Sequence, residues 1–323
     1  MRLKLFIGIG ITLFVGAFSL WADEEETLDM VFAPNPVPWF TGPLLAPSAH
    51  TVRPGHIKIQ PYFNTFVMEG DYDSHWHVIS RPNFYDVNLR VQTKVGLCKR
   101  LDFQITPMVR YRETQGQHSF NVGDLPVSLN VQILAARKLG DGPNLKLLLR
   151  ANIPTGKYRN LNAHRLRTDA MGTGCWFPNG GLALSYIWHI QGFRYVEIRA
   201  FSAYYIGVPV HVKGINTCGG DPGTRGTVYP GNYLDIDVAL EYSLSQRWAL
   251  ACDFFYEHFN RDRFSGKTTV ATTRPSGEIF SLAPAIEYNW SKRFGVIGGV
   301  WFSVAGRNLP QFVNGMLSVA AHF

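Results

Sequence analysis

Apolar and polar residues alternate along most of the chain that follows His56. The clearest stretch is 101–112, where apolar side chains at odd positions alternate with mostly polar side chains at even positions. A period of two indicates β-strands that carry one apolar and one polar face. The pattern recurs to the last residue and predicts strands near 56–68, 86–98, 101–112, 124–136, 145–154, 180–189, 194–206, 233–244, 247–258, 278–289, 293–305 and 311–323.

The predicted strands are long, and the middle of their apolar faces carries no charge. Strand 124–136, for example, presents on one face Leu125, Val127, Leu129, Val131, Ile133 and Ala135. Strands of about ten or more residues suit a tilted crossing of a bilayer, whereas strands of soluble proteins average about five or six. The chain ends on Phe323, which resembles the terminal aromatic signature by which outer-membrane barrels are recognised for insertion. We therefore predict an all-β fold, a transmembrane antiparallel up-and-down β-barrel of about twelve strands.

Long connections alternate with short ones between the predicted strands. Outer-membrane barrels have short periplasmic turns and longer external loops, so both ends of the barrel are expected on the periplasmic side. That arrangement requires an even number of strands. The expected external loops are 69–85, 113–123, 155–179, 207–232, 259–277 and 306–310.

The first residues have the pattern of a secretory signal peptide. Arg2 and Lys4 precede an apolar run that ends near Leu20, and acidic residues follow Ala22. We predict a cleaved signal peptide at 1–22, with an uncleaved anchor helix as the alternative. This export signal places the predicted barrel in the outer membrane of a Gram-negative bacterium. Residues 23–55 form a Pro-rich leader that either lies in the periplasm or plugs the barrel, and 56–323 form the barrel itself.

Composition excludes two other classes of protein. No later stretch approaches about eighteen uninterrupted apolar residues, which argues against a helical inner-membrane protein. The formal net charge is +7, but the basic residues are dispersed without Lys/Arg blocks, so no nucleic-acid partner is expected. Charged residues make up only 17% and aromatic residues 14% of the chain, a mixture that suits short turns and aromatic interface girdles.

The polar faces of the two halves of the predicted barrel differ in charge. The first half offers a basic wall of Lys58, Arg90, Lys94, Arg110, Arg112, Lys146 and Arg150. The second half offers an acidic wall of Glu197, Asp235, Asp237, Glu241, Asp253, Glu257 and Glu287. Across a closed ring these walls face each other as a pore lining. They either form a constriction that orients charged solutes, or pair and fill a barrel with no open path.

Other polar clusters give weaker signals. Cys175 and Cys218 fall in neighbouring external loops, where an oxidising compartment would permit a disulfide. Asp71, Asp73, His75 and His77 lie together in the first external loop, a composition that polar loops often have, and we predict no metal. No cofactor is expected either.

Three functions remain open for such a barrel. A passive channel or transporter for small solutes leads, without a chemical step. The alternatives are a closed structural or adhesive barrel that acts through its loops, and an outer-membrane hydrolase. His258 and Asn260 suggest the hydrolase, but no Ser is identifiable as their partner. Expected partners are outer-membrane lipids and lipopolysaccharide, the barrel-assembly machinery and small solutes; the sequence leaves the oligomeric state open.

Short glycine-based motifs resemble the outer-membrane barrel family named after the MetA pathway of phenol degradation. Gly123-Asp124 opens a predicted strand, residues 151–158 (ANIPTGKY) close the next, and Gly172-Thr173-Gly174 precedes a long strand. The resemblance covers residues 56 to 323 and implies a transporter barrel that passes small aromatic or hydrophobic compounds. The chain departs from the family pattern at Trp176-Phe177-Pro178 and in its leader. The charged faces favour more polar solutes.

Overall fold

Strands account for nearly all the regular structure of residues 38–270 and 273–323, the residues that the computed structural model describes. The predicted signal peptide and the first part of the leader lie outside them. Within this part of the chain the one helical element is a short 3₁₀ turn, Ala163–Arg165. None of its helices is long and apolar enough to cross a membrane. The strands are β1 (Ile57–Tyr72), β2 (Val78–Cys98), β3 (Leu101–Ile105), β4 (Met108–Thr114), β5 (Gln117–Val122), β6 (Leu125–Leu134), β7 (Asn144–Ile153), β8 (Asn179–Gln191), β9 (Arg194–Tyr205), β10 (Val210–Lys213), β11 (Arg225–Tyr229), β12 (Tyr233–Ser243), β13 (Trp248–Phe259), β14 (Arg263–Lys267), β15 (Gly277–Asn289), β16 (Phe294–Arg307) and β17 (Pro310–His322).

The large sheet closes on itself as a ring of antiparallel strands. β1 pairs with β17 on one side and with β2 on the other, which joins the two ends of the sheet. β3 and β4 form one barrel strand interrupted at Pro107, which has no N–H for the ladder. β5 and β6 likewise continue each other across Gly123-Asp124. The ring therefore has twelve strands, and the predicted barrel is confirmed.

The two faces of the ring have opposite chemistry. The outward side chains are apolar and exposed, among them Phe63, Leu89, Phe103, Leu129, Leu149, Leu240, Phe254 and Leu317. The inward side chains are largely polar and buried, among them Asn64, Asn130, Lys146, Glu241, Glu287 and Asn314. Soluble proteins bury the apolar face of a sheet and expose the polar one. This inverted arrangement is stable only when lipid covers the outside.

Both ends of the barrel sequence meet at one rim. The Ile57 and Phe323 backbones exchange hydrogen bonds of 2.9 and 2.8 Å. Exposed aromatic side chains surround this rim, where their rings suit the membrane interface. They include Trp188, Trp248, Trp290, Phe294 and Phe323. The turns here are mostly short, so this rim is the periplasmic one by the usual rule for such barrels.

Three of the expected external loops are shorter than predicted. The 69–85, 113–123 and 306–310 connections reduce to turns at 73–77, 115–116 and 308–309, because the flanking strands continue past the membrane as hairpins. Gln115 and Gly116 have φ angles of 49° and 76°, and two positive values suit the type I′ turn of a two-residue hairpin. The long external connections are 154–178, 206–232 and 260–276.

The outward face gives a first testable prediction. Replacing Val238, midway along β12, by Arg should lower the free energy of unfolding in lipid vesicles by about 2–4 kcal/mol, because the charge meets the centre of the bilayer. Arg at Leu244, just beyond the periplasmic end of the same strand, should cost about 0–1 kcal/mol. Equal costs in guanidinium titrations of the two variants would contradict the proposed position of the membrane.

Candidate functional site

The described part of the leader, residues 38–55, runs inside the ring. On one side it is bound by β13 and β15. The Asp253 carboxylate accepts hydrogen bonds from the backbone N–H groups of Leu44, Leu45 and Ala46 at 3.1, 3.3 and 2.9 Å. Glu287 accepts from Thr41 N at 2.7 Å. Hydrogen bonds to charged groups contribute about 1.5–3 kcal/mol each, so this side of the leader is held firmly.

The far end of the leader is bound by the opposite wall. Gln132 of β6 accepts from Thr51 N at 2.8 Å, and Asp102 of β3 accepts from Val52 N at 2.8 Å. Lys146 of β7 donates to the His50 carbonyl at 3.1 Å. In the strand order, β3 and β6 lie across the ring from β13 and β15. The leader therefore crosses the periplasmic half of the lumen from wall to wall.

A cavity of about 350 Å³ lies in the lumen beside the leader. We call it the lumen cavity. The leader supplies one side through residues 41–48, and inward side chains of the barrel supply the rest. Its basic lining consists of Lys58, Arg90, Lys94, Arg150 and Arg199. No Asp or Glu is present among the described residues that line it.

The basic wall divides into two groups in the structure. Arg110 and Arg112 both pair with the Asp86 carboxylate, which lies on their own side of the ring. Lys146 is fully buried and is held by the leader. Lys58, Arg90, Lys94 and Arg150 form no ion pair within the described chain. The basic wall therefore presents four basic groups without an ion pair, fewer than its sequence implies.

The acidic wall is likewise partly neutralised. Arg199 belongs to the same side and lies 3.2 Å from Glu197 and 2.7 Å from Glu241. Asp253 and Glu287 hold the leader, as described above. The remaining carboxylates are the cross-strand neighbours Asp235 and Glu257, together with Asp237. The pore-lining role of both walls stays a prediction.

Asp124 is the centre of a further arrangement that sequence reasoning did not single out as a site. Its buried carboxylate accepts hydrogen bonds from Gly156 N at 3.0 Å, from Asn152 Nδ2 at 3.0 Å, and from Thr173 N and Oγ1 at 2.8 Å each. A Cβ on Gly172 would lie 2.1 Å from Asp124 Oδ1. The short motifs that are far apart in sequence therefore meet at one carboxylate. In the sequence, the Gly123-Asp124 and Gly172-Thr173-Gly174 motifs were the signal for this site, because one supplies the carboxylate and the other supplies donors and space for it.

The motifs that meet at Asp124 fall within a match to a known protein family. The family model described as the MetA-pathway of phenol degradation matches residues 91–319, which include the whole Asp124 arrangement. The chain belongs to this family. No sequence among the curated proteins matches it. Its membership confirms the resemblance that the motifs indicated.

A solved structure shares the fold of this chain. An outer-membrane channel from Pseudomonas putida F1 has a TM-score of 0.62 at 14% identity, with 85% of this chain and 98% of that chain covered. The transport unit of the autotransporter AIDA-I from Escherichia coli has a TM-score of 0.46 at 11% identity, covering 83% and 90%. A TodX monoaromatic hydrocarbon channel variant has a TM-score of 0.45 at 11% identity, covering 88% and 95%. The first likeness shows an outer-membrane barrel fold.

The outer loop of this family member, residues 154–178, folds back over the external mouth of the barrel. Arg110 and Arg112 donate to the carbonyl groups of Met171 and Ala170 in this loop. Met171 is 1% exposed, so the loop is packed and not simply solvated. Asp124 thus anchors a loop that covers part of the mouth.

A small sheet covers another part of the mouth. β10, β11 and β14 pair with one another and belong to the long connections 206–232 and 260–276. Val210, Val212 and Val228 of this sheet pack against Cys175 and Phe177 of the outer loop. The external side of the barrel is therefore covered by two elements that share one apolar cluster.

The remaining candidates from the sequence have local structural roles. Asp73 accepts hydrogen bonds from the backbone N–H groups of His75 and His77 in the 73–77 turn, and these bonds hold its pKa below the usual range. No group of side chains suited to a metal ion occurs in the described part of the chain. His258 Nδ1 lies 3.8 Å from Glu278 Oε2 of the neighbouring strand.

The Asp124 arrangement gives a second prediction. Asp124→Asn replaces the carboxylate with an amide, which cannot accept all four of its hydrogen bonds, and should release the outer loop. Limited trypsin digestion should then cut at Arg159, Arg165 or Arg167 at least several-fold faster than in the parent protein. Asp71→Asn is the matched control, because Asp71 forms only a partly exposed ion pair with Arg81 at 2.9 Å, a type worth little. Equal cleavage rates in the two variants would contradict the anchoring role of Asp124.

The two loop cysteines give a third prediction. Cys175 and Cys218 are free thiols that pack in the same apolar cluster. Contact with the Cys218 thiol and burial raise the pKa of Cys175, while the same contact lowers the pKa of Cys218. The Cys218 thiolate is therefore the expected nucleophile in disulfide exchange.

Protein exported into an oxidising compartment should carry a Cys175–Cys218 disulfide. Intact mass should show the loss of two hydrogens, reversed by a reductant, and peptide mapping should join these two cysteines. Cys175→Ser should abolish the link, whereas Cys252→Ser on the outward face should not. Four alkylatable thiols in the unreduced, unfolded protein would refute the pairing.

Proposed function

We propose that this protein is a passive outer-membrane channel for small solutes, with the leader as its periplasmic gate. The observation that carries this proposal is a closed barrel whose polar lumen holds a cavity beside a segment of its own chain. Membrane-spanning barrels without a transport role can fill the lumen with side chains, as barrels of about eight strands do. Twelve strands enclose more space, and here a chain segment occupies part of it.

The binding of the leader suits a gate. It is held by hydrogen bonds to two walls and by packing of Leu44 in a buried apolar cluster, and not by a continuous strand pairing, so its detachment would break only contacts of this kind. No bond of the barrel ladder has to open for this movement. Solutes would then cross by diffusion, and no chemical step is required. Small aromatic or hydrophobic compounds, suggested by the name of the family, and more polar solutes both remain candidates for passage.

Export and assembly complete the proposal. Residues 1–22 would be removed as a signal peptide after Ala22, and the terminal strand with Phe323 would be recognised by the barrel-assembly machinery. Phe323 is 60% exposed and packs edge to face on Phe294, which leaves its ring accessible at the periplasmic rim. The outward faces would contact outer-membrane lipids and lipopolysaccharide. The Gram-negative host follows from this localisation.

Conductance in planar bilayers tests the proposed channel directly. Purified protein, with its folding checked by heat-modifiable mobility on gels, should produce single-channel steps above the background of protein-free membranes. A folded barrel without such steps would count against a channel and in favour of a closed structural barrel.

The gate gives a fourth prediction. Asp253→Ala removes the acceptor for three backbone N–H groups of the leader and should increase the conductance or the open probability several-fold. Asp237→Ala is the control, because it removes the same carboxyl group from the inner face of the neighbouring strand, where it forms no hydrogen bond to the leader among the described residues. If both variants change the open probability equally in single-channel recordings, the leader is not the gate.

A further inference from the structure

We propose that the lumen cavity is a binding site for a small organic anion that carries a carboxylate on a compact aromatic or apolar body. This inference deepens the proposed channel function and rests on it. Cavities of roughly 300–1,000 Å³ are typical of small-molecule sites. At about 350 Å³, the lumen cavity is at the small end of that range.

The lining of the lumen cavity carries an excess of positive charge. Five basic side chains line the lumen cavity, and its described lining holds no carboxylate. Only Arg199 has ion-pair partners, Glu197 and Glu241. Burying an unpaired charge is costly, and proteins normally pair such groups or place them where a ligand supplies the opposite charge. A bound anion would supply the negative charge that the lining of the lumen cavity does not hold.

The two lysines of the lining lie side by side on neighbouring strands. Lys58 of β1 and Lys94 of β2 are directly opposite each other in the sheet and point to the same inner face. Like charges at such positions destabilise a sheet. Lys94 is only 5% exposed and forms no hydrogen bond or ion pair within the described chain. A bound anion would stabilise the charged forms of two lysines that the sheet places side by side at this cost.

Two arginines of the lining, Arg90 and Arg150, each lie over an aromatic ring. The Arg90 guanidinium lies 4.8 Å from the centre of the Tyr62 ring, and the Arg150 guanidinium lies 4.9 Å from that of Phe201. Stacking on a ring fixes a guanidinium plane and leaves its N–H groups free to bind a ligand. The buried Arg150 Nε has no hydrogen-bond partner. Arginine binds carboxylates with two parallel hydrogen bonds, which suits these groups to a carboxylate.

The apolar part of the lining defines the rest of the ligand. The leader contributes Pro43, Leu44 and Pro47 to the lumen cavity. Tyr205 and Tyr233 add two rings that stack at a centroid distance of 3.9 Å. A bare inorganic anion would make few contacts with these apolar groups, whereas a carboxylate on a compact apolar body would pack against them. The leader therefore forms part of the site as well as closing the path.

Calorimetric titration of the full-length protein in detergent tests this site with three probes. Benzoate should bind, while benzamide, which has the same ring and shape but no charge, should bind on the order of tenfold more weakly, a difference of about 1.4 kcal/mol. Inorganic phosphate should also bind more weakly than benzoate. Equal binding of benzoate and benzamide overturns the role of charge, and equal binding of phosphate and benzoate overturns the role of the apolar surface.

Variants assign the binding to the lumen cavity. Lys94→Gln with Arg150→Gln should weaken benzoate binding at least about tenfold, and Arg150→Lys alone should retain part of it. The double variant should fold at least as well as the parent, because it removes uncompensated charge. Arg137→Gln with Lys138→Gln is the charge-matched control in the exposed turn at 135–143, away from the cavity. Unchanged benzoate affinity in the folded Lys94/Arg150 variant overturns the site.

The conductance measurement tests the channel, and the binding measurement tests the anion site, so each claim can be refuted without the other. A protein that conducts but does not distinguish benzoate from benzamide overturns the anion site and leaves the channel standing. A protein that binds benzoate through Lys94 and Arg150 but never conducts keeps the site and overturns the proposed channel.

Discussion

Closure of the hydrogen-bonded ring is the constraint on which the rest of this structure depends. Lipid offers no partners for backbone N–H and C=O groups, so a sheet can cross a bilayer only when it has no free edge. Here β1 completes the ring by pairing with both β17 and β2, and the backbones of Ile57 and Phe323 close the seam at the periplasmic rim. In a closed ring, successive side chains of each strand point alternately outward and inward. Apolar side chains meet lipid and polar side chains meet inside.

A polar interior of this kind raises a second physical problem, since buried charges must be compensated. The protein does so mostly by local pairing. Arg110 and Arg112 share Asp86, and Arg199 is paired with Glu197 and Glu241, so each half of the ring neutralises part of its own charge. The leader takes up more, because its backbone N–H groups bind Asp253 and Glu287. The basic groups without an ion pair, Lys58, Arg90, Lys94 and Arg150, all line the lumen cavity.

The external side is organised by a single buried carboxylate. Asp124 binds backbone and side-chain donors from the end of β7 and from the segment before β8, and the close contact of Gly156 with Gly172 leaves no space for a side chain. The family motifs are therefore a structural device that folds the outer loop over the mouth. Their presence identifies the family and its loop architecture. It does not identify a solute, which is selected by side chains elsewhere in the lumen.

The sequence alone determined the class of fold and most of the strand bounds, and it predicted about twelve strands, a number that ring closure then fixed. Period-two alternation and the exclusion of charge from one face are local properties that a barrel in lipid imposes on every strand, so they can be read without tertiary contacts. The predicted strand at 145–154, for example, is β7 at Asn144–Ile153. The hairpin extensions beyond the membrane were missed, because polar and charged residues occur on both of their faces. The alternation of apolar and polar positions is therefore weak there. Only the tertiary structure decided which charges pair, since Asp86 and Arg110 or Asp253 and Leu44 are far apart in sequence and meet through the ring. The path of the leader was open for the same reason: its proline-rich sequence has no period, and its position is set by acceptors on two opposite walls.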